Sequence, residues 1–444
     1  MKKLFTTLSN IWKIEDLRVR ITNTLLFLLI YRIGSFIVLP GVNPNVLANE
    51  GKEGLLGLLN MFAGGSFSRA SIFALGVMPY ISASIVVQLL GIAVPYFQKM
   101  QKEGESGRKK LNQLTRYITV AITLLQGIAY TRTQIPVEAR MMAEPLFAIS
   151  TMFILTAGTL FVMWLGEKIT DKGIGNGISL IIMVGIIAQL PAGFLSEANS
   201  RMSGGNGGII AIIVELAALF LIVIFTILIV QGVRKIPVQY AKKIVGNKQY
   251  GGVRQYIPLK VNAAGVMPII FAQAIMFIPM TVGQFIPSAQ GAFLTSLTNY
   301  TSWQYNLIFA FLIIAFTFFY TAITVNPVQM SDDMKKNGGF IPGVKPGATT
   351  GEYIDAVISK ITLPGSIFLA IIAILPAIAS LFQINSQFAH FYGGTSLLIL
   401  VGVVLDTLQQ IESHLLMRHY DGLMKTGRLR GRTPIASGAA GPAI

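Results

Sequence analysis

The chain has 444 residues, of which 53% are hydrophobic and only 12% are charged, and it contains no cysteine. Soluble domains carry about 25% charged residues, so this composition indicates a polytopic membrane protein and excludes an ordinary soluble domain. The absence of cysteine excludes disulfides and thiolate metal sites.

Ten apolar runs are each long enough to cross a bilayer, which takes about 20 residues. Backbone polar groups in lipid must pair within their own segment, so each run is predicted to be a helix. The run at 62–97 is too long for one span and is interrupted by glycines and by Pro79. It is predicted to be a short half-helix at 62–72 followed by the true span. The ten predicted spans are 21–39, 74–97, 116–135, 146–166, 174–194, 209–233, 257–287, 305–325, 361–384 and 393–411.

The sequence predicts the structure of the two terminal segments less clearly than that of the spans. Residues 1–20 carry apolar side chains near helical spacing, which is consistent either with an amphipathic helix on the membrane surface over 3–17 or with a flexible tail. A cleavable signal is not expected, because Lys2 and Lys3 are followed by a mixed segment rather than by an apolar core. Residues 412–444 are predicted to form a tail.

The distribution of the +16 net charge predicts the topology. Lys and Arg are concentrated in the N-terminus and in the second and sixth loops, whereas the odd-numbered loops are poor in charge. By the positive-inside bias, both termini and the even-numbered loops are cytoplasmic. Ten spans satisfy this pattern without conflict.

Two motifs each occur twice in the same order. Gly76–Ile81 returns as Gly265–Ile270 with five of six positions identical, and Gly177–Ile182 shares four positions with Gly394–Ile399. Chance recurrence explains one pair more readily than both pairs in register. Because each half (21–195 and 209–411) has an odd number of spans, the repeat must be inverted. Gly and Pro breaks in such repeats mark a central path near the bilayer midplane.

The centre of such a repeat is predicted to be aliphatic. Ionisable residues within the apolar runs are few: Arg32 fits helix–helix pairing, and Glu215 and Asp406 fit interfacial positions. The repeat instead brings isoleucines to the middle, and a ring of them forms a hydrophobic constriction. Ordinary helix packing is the alternative. The repeated isoleucines are Ile81, Ile182, Ile270 and Ile399.

The loops at 234–258 and 326–360 are longer than neighbouring helices require and are rich in glycine and basic residues, so they are predicted docking surfaces. Seven basic residues and no acid over 234–260 suit a polyanion such as ribosomal RNA. Topology signals and contacts with anionic lipids are alternatives. Fragments of serine acyl-enzyme, zinc and nucleotide motifs lack their partner residues, so neither an enzyme nor a cofactor is predicted.

From about Leu17 to Gly431, the chain resembles the SecY family, which comprises the channel subunits of protein translocases. The resemblance depends on several long stretches in order. They are Asn60–Phe62 and Gly64–Gly65, Arg69–Leu75 with Pro79–Ile81, Lys102–Arg108, Met163–Glu167 with Gly177–Ser179, Pro258–Asn262, and Gly393–Ile399.

The resemblance implies an all-α fold of ten helices, in which two inverted five-helix halves form an hourglass channel with a lateral gate. Segment 62–72 is then the plug, with Phe62, Gly64, Gly65, Ser66, Phe67, Ser68 and Arg69. The lateral gate, between the second and third spans and the seventh and eighth, has Ser82, Gln126 and Ile278. The pore ring is Val77, Ile81, Ile178, Ile182, Ile270 and Ile399, in which Val77 is the departure from isoleucine.

The resemblance also implies partners. They are membrane subunits of the SecE and SecG type, the motor ATPase SecA, the translating ribosome, signal peptides and nascent chains, in a bacterial plasma membrane. Lys242, Lys243, Lys248 and Lys345 are the predicted docking residues. Lys345 stands where arginine is common, and Asn247 where a basic residue is common. A small-molecule transporter is the main alternative, but it requires a polar midplane site. A scaffold without a path would not need the duplicated Gly–Pro breaks.

Overall fold

The structure is a computed structural model. It describes residues 12, 14–47, 60–203, 208–240, 243–245, 248–250, 254–285, 296–297 and 299–425.

Each of the ten predicted spans contains a long helix. By length and composition, six of the described helices qualify as membrane spans, or seven when the bent pair at Met78–Gly91 and Pro95–Gln101 counts as one. The other three helices coincide with predicted spans that are more charged or shorter. The ten helices are α1 Glu15–Gly34, α2 Met78–Ala93, α3 Glu105–Gln134, α4 Glu144–Lys172, α5 Gly177–Ser203, α6 Gly208–Gln231, α7 Met267–Phe285, α8 Trp303–Thr324, α9 Ala348–Leu381 and α10 Gly394–Lys425.

Shorter elements connect these helices. The short helices are Pro44–Leu47, Pro95–Lys102, Val137–Ala139 (3-10), Pro327–Lys336 and Ser386–Ala389, and the strands are β1 Val233–Tyr240, β2 Lys243–Val245, β3 Lys248–Tyr250, β4 Arg254–Lys260 and β5 Gly339–Phe340.

Several predicted boundaries were wrong. The span predicted from 257 begins as a helix only at Met267, because β4 occupies 254–260. Helix α10 continues to Lys425, well into the predicted tail, whose residues 426–444 lie outside the described part. Helix α1 begins at Glu15, where two acidic residues complement the positive end of the helix dipole. Most of the predicted N-terminal segment 1–20 lies outside the described residues.

The half-helix predicted at 62–72 was also wrong. Only residues 60–62 are helical, and the chain then passes through successive turns to residue 77. Gly64 and Gly65 have φ of 63° and 85°, and Ala70 has φ of 48°. A right-handed helix cannot continue through residues in this left-handed region. The segment is therefore a compact loop, and we call residues 60–77 the central loop.

The repeat is visible in the positions where helices begin. Helices α2 and α7 both start at the methionine of the first motif, each after a glycine with positive φ, 54° at Gly76 and 63° at Gly265. Helices α5 and α10 both start at the glycine of the second motif. The duplicated motifs are thus duplicated helix starts.

Strand pairing repeats as well. In the first half, Val38 after α1 forms an antiparallel bridge with Ser71, which lies seven residues before Met78. In the second half, Val233 after α6 pairs antiparallel with Lys260, which lies seven residues before Met267. The two halves therefore share a pairing register that the sequence motifs alone did not reveal.

The two predicted docking loops are joined in one small domain. Strands β4, β1 and β5 form an antiparallel sheet in that order, so segments 234–258 and 326–360 meet at Gln239 and Phe340. The two segments were predicted to be separate loops, and this was wrong, because they share a β-sheet within a predominantly helical fold. Its apolar core consists of Ile236, Val238, Leu259, Met334, Ile341 and Ile354.

Candidate functional site

All six predicted ring residues belong to one apolar cluster, although they come from four helices. Three of them are buried and three are partly buried against the same core. Each lies at the N-cap or within the first two turns of its helix, so four helix starts converge at this place. We call these residues the central cluster: Val77 and Ile81 at α2, Ile178 and Ile182 at α5, Ile270 at α7, and Ile399 at α10.

The central loop packs directly onto this cluster. Met61 and Phe62 are buried in the same core. The buried hydroxyl of Ser396, three residues before Ile399, donates a hydrogen bond to the Met61 sulfur at 3.1 Å. The loop residues 61–62 therefore connect the N-terminal half to α10.

Further contacts hold the loop against α3. The hydroxyl of Tyr130 donates to the carbonyl oxygen of Phe67 at 2.6 Å, and the two rings meet edge to face with centroids 5.0 Å apart. The backbone N–H of Ser68 donates to the Asn60 side chain at 3.0 Å, which closes the loop on itself. Ser66 and Phe67 are buried.

Two arginines converge on one carbonyl of the loop. Arg32 from α1 and Arg69 both donate to the Gly64 oxygen, each at 3.0 Å. Their guanidinium groups lie 5.0 and 4.3 Å from the centroid of the Phe36 ring. Arg32 thus contacts a loop carbonyl and an aromatic face, not another helix as the sequence suggested.

The predicted lateral seam lies between helices that are in contact. Helix α3 contacts α7, while α2 packs on α3 and α8 packs on α7. Ser82 donates to the Met78 carbonyl of its own helix at 3.2 Å, and Gln126 is partly buried. Ile278 lies in α7, but its side chain is outside the described part of the chain.

Three of the four predicted docking lysines belong to the described part of segments 234–258 and 326–360. Lys345 is exposed, and its carbonyl accepts a hydrogen bond from Thr350 at 2.9 Å. Lys243 and Lys248 lie on the paired strands β2 and β3, where Lys248 is opposite Val245. Lys242 and Asn247 are outside the described residues.

Sequence reasoning missed a buried ionic cluster. Arg201 of α5 contacts Glu197 at 2.8 Å and Glu215 of α6 at 2.7 Å, so Glu215 has a buried ionic partner that the sequence interpretation did not include. The guanidinium also donates to the Phe382 carbonyl at 3.2 Å, and Glu197 accepts from the Asn385 N–H at 2.7 Å. The spacing of Glu197 and Arg201, four residues apart on one helix face, was the available signal.

Comparisons with known proteins identify the family. A SecY family model matches residues 71–408. The chain belongs to the SecY family. It is 44% identical over 431 residues to the protein translocase subunit SecY of Halalkalibacterium halodurans, with 95% of this chain and all of that protein covered. It is 42% identical over 440 residues to the protein of the same name from Streptomyces scabiei, with the same coverage.

Solved structures share the fold. A protein conducting channel has a TM-score of 0.64 and 16% identity, covering 89% of this chain and 92% of that chain. A second structure, described as showing that the SecY plug domain stabilises the closed state of the translocation channel, has a TM-score of 0.62, 17% identity and the same coverage. Sec61 in the canine ribosome-channel complex has a TM-score of 0.58, 16% identity and again the same coverage. The SecY-family chain accordingly has the ten-helix channel architecture.

Proposed function

We propose a passive mechanism for this chain, which as a SecY-family member is a protein-conducting channel subunit and not an enzyme. The central cluster is the pore ring through which unfolded secretory proteins pass. The convergence of its six residues, from four helices, on one apolar core is the observation that supports this role. An aliphatic constriction blocks water and ions, yet it has no fixed chemistry that selects one solute. Such a ring suits substrates of any sequence.

The central loop, including residues 62–72, is the plug. Its contacts with α1, α3 and α10 are hydrogen bonds and apolar packing, as at Phe67 and Met61. A hydrogen bond of this kind contributes about 1 kcal/mol net, so an entering chain can replace several of them. The turns at Gly64 and Gly65 suit a segment that must change path.

Transmembrane helices leave sideways between α2 and α3 on one side and α7 and α8 on the other. The contact between α3 and α7 supports this seam as a closed gate. Ser82, Gln126 and Ile278 are the gate residues. A nascent helix enters lipid according to its own hydrophobicity, so no binding pocket is needed.

The β4–β1–β5 sheet, on the cytoplasmic side, is the docking surface for SecA or the translating ribosome. Lys242, Lys243, Lys248 and Lys345 supply positive charge there, and the fold's likeness to Sec61 in a ribosome-channel complex supports this assignment. SecE-type and SecG-type subunits complete the complex. Its place is the bacterial plasma membrane, with both termini in the cytoplasm, and anionic lipids contact its basic segments.

The ring is tested by ion conductance. Ile81, Ile182, Ile270 and Ile399 are replaced together by serine, and the purified protein is measured in planar bilayers. We expect a resting conductance several-fold above that of the unaltered chain. A matched control replaces four exposed isoleucines, Ile149, Ile187, Ile210 and Ile371, and stays at background. Background conductance in a folded ring variant would overturn the pore assignment.

A further inference from the structure

A small cavity lies in the C-terminal half, beside the first turn of α10. Its volume is about 30 Å³. Helices α7, α8 and α9 and the turn before α10 surround it. Residues that line it include Gln273, Tyr305, Asn306, Ala377, His390 and Ser396.

Two buried side chains on its wall have polar atoms without partners. His390 is 4% exposed and Gln273 is 3% exposed. Neither ring nitrogen of His390, nor Nε2 of Gln273, has a hydrogen-bond partner among the described residues. The Gln273 amide lies beside the Tyr305 side chain.

The hydrogen-bonding demand of these atoms defines the ligand. A neutral imidazole has one donor and one acceptor, and an amide nitrogen donates. The occupant must therefore both accept and donate hydrogen bonds. Leaving each such buried group unpaired costs about 1–3 kcal/mol.

The size of the cavity sets the number of molecules. A water molecule requires roughly 10–15 Å³ of cavity volume on this measure, so a volume of about 30 Å³ holds two. We propose that this cavity is a binding site for two water molecules that join His390 to Gln273.

The site lies between α7 and the turn before α10. Gln273 lies three residues after Ile270 on α7, and His390 lies in the turn before α10. A bridging water forms nearly as strong a contact as a direct hydrogen bond. Such a bridge tolerates a small shift of α7 relative to α10 without leaving polar groups unpaired. The water site does not depend on the pore assignment, because it follows only from the cavity and its wall.

The test is water-edited solid-state NMR of the full chain in lipid bilayers. The chain has three histidines. In a His414→Gln, His419→Gln background with ¹⁵N-histidine, only His390 contributes side-chain signals. We expect magnetisation to pass from water protons to its ring nitrogens at short mixing times.

Ala377→Leu fills the cavity and is expected to reduce that transfer several-fold, while Ala218→Leu on the exposed face of α6 leaves it unchanged. Absence of transfer to His390 in the starting protein would overturn the proposal. Unchanged transfer in the folded Ala377→Leu variant would do so as well. If that variant does not fold, Gln273→Leu removes one partner of the waters and is expected to weaken the transfer.

Discussion

Gly185 of α5 and Gly64 of the central loop pack backbone against backbone. A methyl group added at Gly185 would lie 2.7 Å from the Phe62 carbonyl oxygen and 3.2 Å from the Gly64 nitrogen. Contacts below 3.0 Å with backbone atoms require something to move. The position of the loop on α5 therefore depends on the absence of one side chain.

Gly185→Ala is expected to displace the central loop and to raise the resting ion conductance of the purified channel in planar bilayers. The displaced segment is the one that packs on the central cluster, so the seal loosens. Gly193→Ala on the same helix is the matched control, because its nearest neighbours lie 3.4 Å away. Equal conductance in the two variants would show that the loop does not contribute to the seal.

Tyr130→Phe is expected to lower the stability of the central loop by about 1 kcal/mol, since the Phe67 carbonyl loses its short bond from the hydroxyl and keeps only the longer one from the Ala70 N–H at 3.4 Å. Hydrogen exchange of the loop amides measures this loss, and the exchange is expected to be several-fold faster in the variant. Tyr117→Phe on the same helix is the control, because Tyr117 is 72% exposed. Unaltered exchange in Tyr130→Phe would mean that this hydrogen bond does not hold the loop.

The positions of the helices could be predicted from the sequence, because the length of an apolar run is a local signal. The four helices that begin at the repeated motifs could also be predicted, because the duplicated Gly–Pro patterns are local too. The convergence of Ile81, Ile182, Ile270 and Ile399 also followed from the inverted repeat, whereas Val77 and Ile178 were expected from the family resemblance. The path of residues 62–72 could not be predicted in this way. Apolar composition does not distinguish a half-helix from a loop whose turns depend on positive φ at Gly64 and Gly65.

The β4–β1–β5 sheet and the buried ionic cluster were missed for a different reason. Gln239 pairs with Phe340, about a hundred residues away. Arg201 of α5 contacts Glu215 of the next helix, α6. Neither contact leaves a periodic pattern within one segment. Such long-range pairings require the three-dimensional arrangement.

Arg201→Met is expected to destabilise the protein by about 3–5 kcal/mol, because Glu197 and Glu215 are left buried without a counter-charge. Thermal unfolding in detergent measures the loss. The triple variant Glu197→Gln, Arg201→Met, Glu215→Gln removes all three charges and is expected to be less destabilised than Arg201→Met alone.

The exposed pair Lys109 and Glu105 is the surface control for this cluster, since the two side chains are 74% and 84% exposed. Lys109→Met should change stability by less than about 1 kcal/mol. If Arg201→Met and Lys109→Met lost similar amounts of stability, burial would not be the reason that the loss of Arg201 is costly.

His390 is expected to make the stability of the protein fall in mild acid. Burial lowers the pKa of its imidazole from 6.5 to about 4. Between these two values the unfolded chain binds a proton that the folded chain does not, so the free energy of unfolding decreases as the pH is lowered from 6.5 to 4. Over this whole pH interval the free energy of unfolding falls by about 3 kcal/mol.

The measurement is chemical or thermal unfolding of the full chain at pH 7 and at pH 4.5. His390→Gln removes the titrating group and keeps a polar side chain, so this variant is expected to lose less stability than the unaltered protein over that interval. His414→Gln is the control and should follow the unaltered protein. An identical pH dependence in all three proteins would mean that His390 takes up its proton without unfolding, and that its surroundings accommodate the charge.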